Sequence, residues 1–264
     1  MKKIYAILNI IVILAVIAVN GLVSARGLDG NTVAGISDKY DTLFAPAGYA
    51  FSIWGLIYLG LLIFGVFQFR RVFFSSKEDD FVLSIGPWLT IANLANILWL
   101  WAWLSENLSL SVILMLAILF SLLIIIIRLN MERWDAPFPI IAFVWWPVCL
   151  YSGWITVATI ANYSAYLVQI EWLALFSEVT WTVIMIIVAA VVNLLMILTR
   201  NMREFAAVGI WAILAITVKH WGEIPAIQWT ALISAIVLFI AISIHGYRNR
   251  ATGPQIKYRE YYSR

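Results

Sequence analysis

Apolar residues occur in eight long runs that are separated by polar stretches. A helix needs about 20 apolar residues to cross roughly 30 Å of hydrocarbon. Because lipid has no partners for backbone N–H and C=O groups, each run must satisfy those groups within its own helix. The pattern therefore predicts eight membrane-spanning helices. Their predicted bounds are 4–24, 50–69, 82–103, 108–127, 139–162, 173–198, 205–221 and 226–246.

The connections between the runs are polar, and most of them are short. Residues 105–107, 130–137 and 199–204 are typical. The longest connection, residues 25–49, holds four glycines among Asp, Asn, Ser and Thr. It is too polar to span a membrane and long enough to fold over one end of a helix bundle.

The composition agrees with a membrane protein. Hydrophobic residues make up 64% of the 264 positions and charged residues 12%, whereas soluble domains carry about 25% charged residues. The single cysteine, Cys149, excludes an internal disulfide. We therefore predict an all-α, polytopic membrane helical bundle with about eight transmembrane helices.

The positions of the cations predict the orientation of the chain. With the predicted spans, 14 of the 17 Lys and Arg residues lie on the side of the N-terminus, and the other side has only Arg26, Lys39 and Lys219. Positively charged loops stay in the cytoplasm. We therefore expect a multi-pass protein of the cell (inner) membrane of a bacterium, with both termini cytoplasmic.

The first segment allows a second interpretation. Lys2-Lys3, the apolar run and Val23-Ser24-Ala25 resemble a secretory signal peptide with a small-x-small cleavage site. The run has nearly full spanning length and contains Asn20 and Gly21, which favours a retained helix. Cleavage would leave seven spans.

Tryptophan is unusually frequent, with fourteen residues in the chain. Trp and Tyr collect at membrane interfaces, and this explains the tryptophans near predicted span ends. These are Trp88, Trp134, Trp172, Trp221 and Trp229.

Other aromatic residues follow distinctive spacings. Pro46-x7-Trp54-x3-Tyr58 opens the second span, Asn96-x2-Trp99 lies in the third, and Tyr151-x2-Trp154-x7-Asn162 runs along the fifth. Together these spacings resemble the TspO/MBR (translocator protein, tryptophan-rich sensory protein) family. The chain departs from the family pattern at Ala45-Pro46-Ala47, where a Pro-Pro pair is usual, and at Gly48-Tyr49, where a tryptophan is expected.

The resemblance implies a division of the chain. Residues 1–167 would form a TspO-like five-helix membrane core, residues 168–247 a three-helix membrane extension, and residues 248–264 a basic cytoplasmic tail. Orientation is the first role we assign to the tail, and contact with anionic lipid headgroups is the second.

The resemblance also implies a hydrophobic ligand, such as the tetrapyrroles protoporphyrin and haem, or a lipid. No cofactor is required. Residues 25–49 would cover the ligand cavity. The residues implied to line it are Pro46, Trp54, Tyr58, Asn96, Trp99, Tyr151, Trp154 and Asn162. The alternative for each of them is structural, because amides join helices in lipid and aromatic side chains fill volume.

Glu178 lies within the predicted sixth span, where an unpaired carboxylate is costly. We predict an intramembrane ion pair with Lys219 or His220, or a carboxyl group that desolvation keeps neutral; the alternative is an interfacial carboxylate that reaches water. A small membrane transporter or permease component that uses Glu178 is therefore the second candidate function, beside ligand sensing or transport by a TspO-like protein.

Other chemistry is not expected. His220 and His245 lie at opposite membrane faces and cannot share a metal, and no phosphate-binding loop, HExxH or nucleophile elbow occurs. The sequence contains no group of acid–base residues that would support enzymatic porphyrin degradation. We therefore predict no catalytic residue and a protein that is not an enzyme. Expected partners are membrane lipid, a hydrophobic small molecule and a second copy in a homodimer, but not nucleic acid.

Overall fold

The computed structural model describes residues 1–28, 30–75, 80–172 and 175–263. Regular structure in these ranges is helical, apart from one isolated bridge between Leu28 and Asn31. The α-helices are α1 (Lys2–Arg26), α2 (Val33–Tyr40), α3 (Ile53–Phe74), α4 (Phe81–Ile85), α5 (Trp88–Leu104), α6 (Leu108–Arg128), α7 (Phe138–Ile140), α8 (Trp146–Gln169), α9 (Glu178–Arg200), α10 (Arg203–Lys219), α11 (Pro225–Arg248) and α12 (Pro254–Tyr262). The 3-10 turns Gly48–Ser52 and Arg250–Thr252 and the π turn Ile141–Trp145 complete the described helical structure.

Each of the eight predicted spans corresponds to helical structure among the described residues, and the predicted fold class, a helical membrane bundle, is confirmed. Six helical segments are long and apolar enough to cross a membrane. The third and seventh spans correspond to α5 and α10, each of 17 residues. This is the lower end of the length that spans a bilayer.

The predicted bounds were inaccurate in several spans: the helices of the second and fifth spans extend to Phe74 and Gln169, beyond the predicted ends at 69 and 162. The third and sixth spans differ for identifiable reasons. The third is interrupted at Gly86, which has a φ of 55° and separates α4 from α5. The sixth begins at Glu178 because the Ser177 side chain caps α9 by accepting the N–H of Thr180. Residues 173–174, where we placed its start, lie outside the described residues.

Helix α10 joins the last three helices to the first five. It packs against α8 on one side and against α9 and α11 on the other. Within the first five, α1 packs on α3 and α5, α5 on α6, and α8 on α3 and α6. The three added helices therefore continue the same bundle.

Amide side chains connect the helices of the core. Asn9 donates from Nδ2 to Gln68 Oε1 at 3.2 Å and accepts from Thr90 Oγ1 at 2.8 Å, which links α1, α3 and α5. Nearer the other end, Asn20 Nδ2 donates to Asn96 Oδ1 at 3.2 Å. Helix α1, the segment with the signal-peptide alternative, is thus hydrogen-bonded into the bundle.

Two glycines allow α10 to approach its neighbours closely. A Cβ at Gly153 of α8 would lie 2.7 Å from the carbonyl oxygen of Phe205, and a Cβ at Gly209 of α10 would overlap the Asn193 amide of α9. Small residues at helix contacts are the usual means of close packing in membranes. Gly153 therefore allows α10 to lie directly against α8 of the core, and Gly209 allows α9 to lie directly against α10.

We expect Gly153→Ala and Gly209→Ala each to destabilise the bundle by roughly 1–3 kcal/mol, the range of overpacking in a close-packed interior. Thermal unfolding in detergent measures the effect. Gly21→Ala is the matched control, because nothing lies within 4 Å of its Cβ position and alanine is the better helix former. Equal stability of all three variants would show that α10 is not held by close packing.

Candidate functional site

Five aromatic residues form one buried group, here called the aromatic cluster: Trp54, Tyr58, Trp99, Tyr151 and Trp154. Trp54 is its centre. Its ring centroid lies 5.4 Å from Tyr58, 6.1 Å from Trp99, 6.0 Å from Tyr151 and 6.4 Å from Trp154. Helices α3, α5 and α8 thus bring together three sequence patterns that are far apart in the chain.

The remaining residues implied to line the cavity lie beside the aromatic cluster. Trp99 Nε1 donates to Asn162 Oδ1 at 2.7 Å, and Asn162 Nδ2 donates to Ser111 Oγ at 2.7 Å. Asn96 Oδ1 accepts from Asn20 Nδ2 of α1. The amides therefore join helices, as the structural alternative expects, and they also border the aromatic rings.

A cavity of about 30 Å³ lies against the aromatic cluster. Five of the eight residues implied by the resemblance line it, together with Val33 and Ser37 of α2. This volume holds one or two water molecules, whereas pockets for organic ligands have roughly 300–1,000 Å³. The five lining residues are Pro46, Trp54, Trp99, Trp154 and Asn162.

Several polar atoms of this region are buried and unpaired. Tyr58 OH, Tyr151 OH, Asn96 Nδ2 and Trp154 Nε1 have no hydrogen-bond partner among the described residues. A buried polar group without a partner costs about 1–3 kcal/mol. The aromatic cluster therefore has unused hydrogen-bonding capacity.

The connection between α1 and α3 folds over this end of the bundle, as its length predicted. Helix α2, which begins with its Thr32 cap, forms its central part. Trp103 Nε1 donates to the Val33 carbonyl at 3.2 Å, and Asn31 Nδ2 donates to the Leu104 carbonyl at 3.0 Å. We call residues 30–49 the lid.

Glu106, in the turn between α5 and α6, fastens the lid. Lys39 Nζ lies 2.7 and 2.6 Å from its two carboxylate oxygens, and Tyr40 OH donates to Oε2 at 3.0 Å. The hydrogen bond from Lys39 is the largest cause that lowers the pKa of Glu106. Gln169 of α8 donates to Tyr40 OH at 3.2 Å and to the Glu106 carbonyl at 3.0 Å.

Helix α10 holds the other end of the lid, and this corrects the predicted ion pair of Glu178. Lys219 Nζ lies 3.2 Å from Asp41 Oδ1 and donates to the Thr42 carbonyl, while His220 Nε2 is 2.8 Å from the Leu43 carbonyl. Glu178 is exposed in the first turn of α9. Because α9 begins at Glu178, the residue lies at the end of its helix, as the interfacial alternative expects.

Sequence reasoning missed a polar group at the end of the bundle opposite the lid. Glu132 is largely buried in the connection between α6 and α7, and Asn201 Nδ2 donates to its Oε2 at 3.2 Å. Burial, followed by the charge of Glu204, raises the pKa of Glu132 to about 7, which Arg203 partly opposes. The sequence signal that could have indicated this group is the presence of Glu132 and Glu204 in or beside short connections between predicted spans.

The fold and the aromatic cluster define a polytopic helical membrane protein with a covered aromatic site. The sequence model of the TSPO-like protein family matches residues 6–244, so the chain belongs to that family. The matched region continues through the three helices that we had predicted to lie outside the family's five-helix core. Comparisons with curated proteins and with solved structures found no match.

Glu132 makes the stability of the protein depend on pH. Its folded-state pKa exceeds the ordinary value, so the folded state retains a proton that the unfolded state releases. Stability should therefore fall as pH rises from about 4.5 to 7, by up to ~3 kcal/mol. Thermal unfolding in detergent between pH 5 and 8 should show a steeper decline for the wild type than for Glu132→Gln.

The exposed Glu171 supplies the control for this pH dependence, since Glu171→Gln should decline with pH as the wild type does. Identical pH profiles of the wild type and Glu132→Gln would contradict the assignment.

Proposed function

We propose that the aromatic cluster and the lid form a binding site for a flat, largely apolar ligand, and that this ligand is a tetrapyrrole such as protoporphyrin or haem. The observation that carries the proposal is the group of unpaired polar atoms among packed indole and phenol rings beneath a fastened lid. Indole faces stack on conjugated rings at offset geometry. Tyrosine hydroxyls and a tryptophan N–H suit the ring nitrogens and carboxylates of such a ligand.

The size of the cavity implies that binding requires an opening. A site of about 30 Å³ cannot admit a macrocycle. The lid lies on the same side as the cavity, and its attachments are hydrogen bonds and ion pairs at the membrane surface. We infer that the ligand binds a minor conformation in which the lid has moved, and that binding raises the population of this conformation.

The charge distribution supports an orientation with both termini in the cytoplasm. Arg26, Lys39 and Lys219 lie at the lid end, and the opposite end carries most of the cations of the chain. By the positive-inside rule the lid would face the outside of a bacterial inner membrane. The ligand would then be met on that side.

Binding is proposed in preference to catalysis or transport. In the described residues the aromatic cluster has no carboxylate or histidine positioned for acid–base chemistry beside it. The transporter alternative relied on Glu178 inside the bundle, and the residue is exposed instead. Flux through liposomes that disappears in Glu178→Gln would restore that alternative.

Replacement of a cluster residue should weaken tetrapyrrole binding. We expect Trp154→Phe to raise the dissociation constant for protoporphyrin by about tenfold, which is ~1.4 kcal/mol, because it removes the unpaired Nε1 and stacking area. Titration of the purified protein, followed by porphyrin absorbance and tryptophan emission, measures the constant.

Trp229→Phe is the control for Trp154→Phe, because Trp229 is 52% exposed on α11. Its dissociation constant should equal that of the wild type. If Trp154→Phe lowered thermal stability without any change in affinity, the cluster would be packing alone.

The Glu106 contacts should govern how fast the ligand enters. We expect Glu106→Gln to increase the association rate for protoporphyrin several-fold, because removal of the charge weakens the Lys39 contact and raises the population of the open lid. Stopped-flow fluorescence measures the rate. The wild type should approach the variant only as the pH falls below the lowered pKa of Glu106.

Glu223→Gln provides the comparison at the same membrane face, since Glu223 is exposed and outside the lid. An association rate of Glu106→Gln equal to that of Glu223→Gln would exclude the lid as the barrier to entry.

A further inference from the structure

Two of the added helices, α10 and α11, line a second cavity at the inner end of the bundle, of about 620 Å³. We call it the inner cavity. It lies between α8, α10 and α11 and reaches the start of α12. Its polar lining includes Trp146, Arg203, Glu204, Ser243 and Arg250. The volume lies within the range of sites for organic ligands.

Charges of both signs line the inner cavity. Arg203 and Glu204 form the first turn of α10, and Arg250 follows the end of α11. Arg203 Nε, Glu204 Oε2 and Trp146 Nε1 are buried and lack hydrogen-bond partners among the described residues. The lining therefore has both donors and an acceptor that the protein itself does not satisfy.

The absence of a side chain at Gly246 provides the space for the Arg203 guanidinium. A Cβ at Gly246 of α11 would lie 3.0 Å from Arg203 Nη1. Arg250 is held separately, since its Nη1 donates to the Tyr247 carbonyl at 3.1 Å and its guanidinium carbon lies 4.2 Å from the Tyr247 ring centre. The two cations thus have defined positions around one cavity.

An apolar track leads from the inner cavity towards the middle of the membrane. Ala207 lines the cavity and is followed on the same face of α10 by two further exposed apolar residues, Trp211 and Leu214, which lie near the middle of the helix. Seven residues of helix rise about 10 Å, and one leaflet contributes about half of the roughly 30 Å of hydrocarbon. The track is therefore long enough to contact most of one acyl chain in one leaflet.

From this arrangement we propose that the inner cavity binds a phospholipid of the adjacent leaflet whose headgroup carries a primary ammonium, that is, phosphatidylethanolamine. Its phosphate would lie between Arg203 and Arg250, its ammonium would donate to Glu204, and one acyl chain would follow the track on α10. The proposal is independent of the ligand of the aromatic cluster.

The headgroup chemistry distinguishes this lipid from its competitors. A purely anionic headgroup satisfies the arginines but adds negative charge beside Glu204. A quaternary ammonium has no N–H to donate to a carboxylate, and its methyl groups keep the charge at a distance. Charged hydrogen bonds are about twice as strong as neutral ones, so loss of the N–H groups should be measurable.

Stepwise N-methylation of the headgroup tests the proposal with the unaltered protein. Native mass spectrometry of the purified, delipidated chain would be titrated with phosphatidylethanolamine, its mono- and dimethyl derivatives, phosphatidylcholine and phosphatidylglycerol of identical acyl chains. We expect the affinity to fall with each methyl group, by about tenfold in all between the first lipid and phosphatidylcholine. Equal affinity for all five lipids would overturn the proposal.

Variants of the lining assign the effect to the inner cavity. Glu204→Gln should reduce the preference over phosphatidylcholine to near unity, and Arg203→Gln should weaken all phospholipids. Arg248→Gln, exposed at the same end of α11 and outside the cavity lining, should retain the tenfold preference. A preference that survives in Glu204→Gln would overturn the assignment.

Soluble headgroup fragments separate the lipid from a free anion. Inorganic phosphate and phosphoethanolamine at millimolar concentration should leave the bound phospholipid in place, because neither occupies the apolar track. Displacement by phosphate alone would show an anion site and would contradict the lipid assignment.

Discussion

A buried amide in a membrane must find its hydrogen-bond partner within the protein, and the core of this bundle depends on that constraint. Asn9 joins α1, α3 and α5 through Gln68 and Thr90. Asn162 joins α5, α6 and α8 through Trp99 and Ser111. Because lipid cannot replace these partners, the amides determine which helices are neighbours and at what register.

The same constraint divides the polar atoms of the aromatic cluster and its neighbours into paired and unpaired groups. Trp99 and Asn162 form hydrogen bonds that join helices, whereas Tyr58, Tyr151 and Trp154 have polar atoms without a hydrogen-bond partner among the described residues. The hydrogen bonds of the first group join helices, and the proposed ligand would use the unpaired polar atoms of the second group.

The added helices affect both ends of the bundle. At the lid end, Lys219 of α10 and the following His220 hold the lid through Asp41 and through backbone carbonyls. At the opposite end, Arg203 and Glu204 of the same helix line a cavity that the first five helices cannot form alone. Helix α10 reaches both positions because Gly153 allows it to lie directly against α8.

The amino-acid sequence by itself determined the helical class, the eight segments and the family, because span length and the spacing of Trp, Tyr and Asn are local properties that lipid makes strict. It also indicated which aromatic residues would meet. Tertiary structure alone decided that Lys219 pairs with Asp41 rather than Glu178, that Glu132 is buried, and that the predicted cavity is nearly filled. Those outcomes depend on the residue at which a helix begins and on how closely two helices approach. The approach of two helices is set by contacts between residues that are far apart in the sequence.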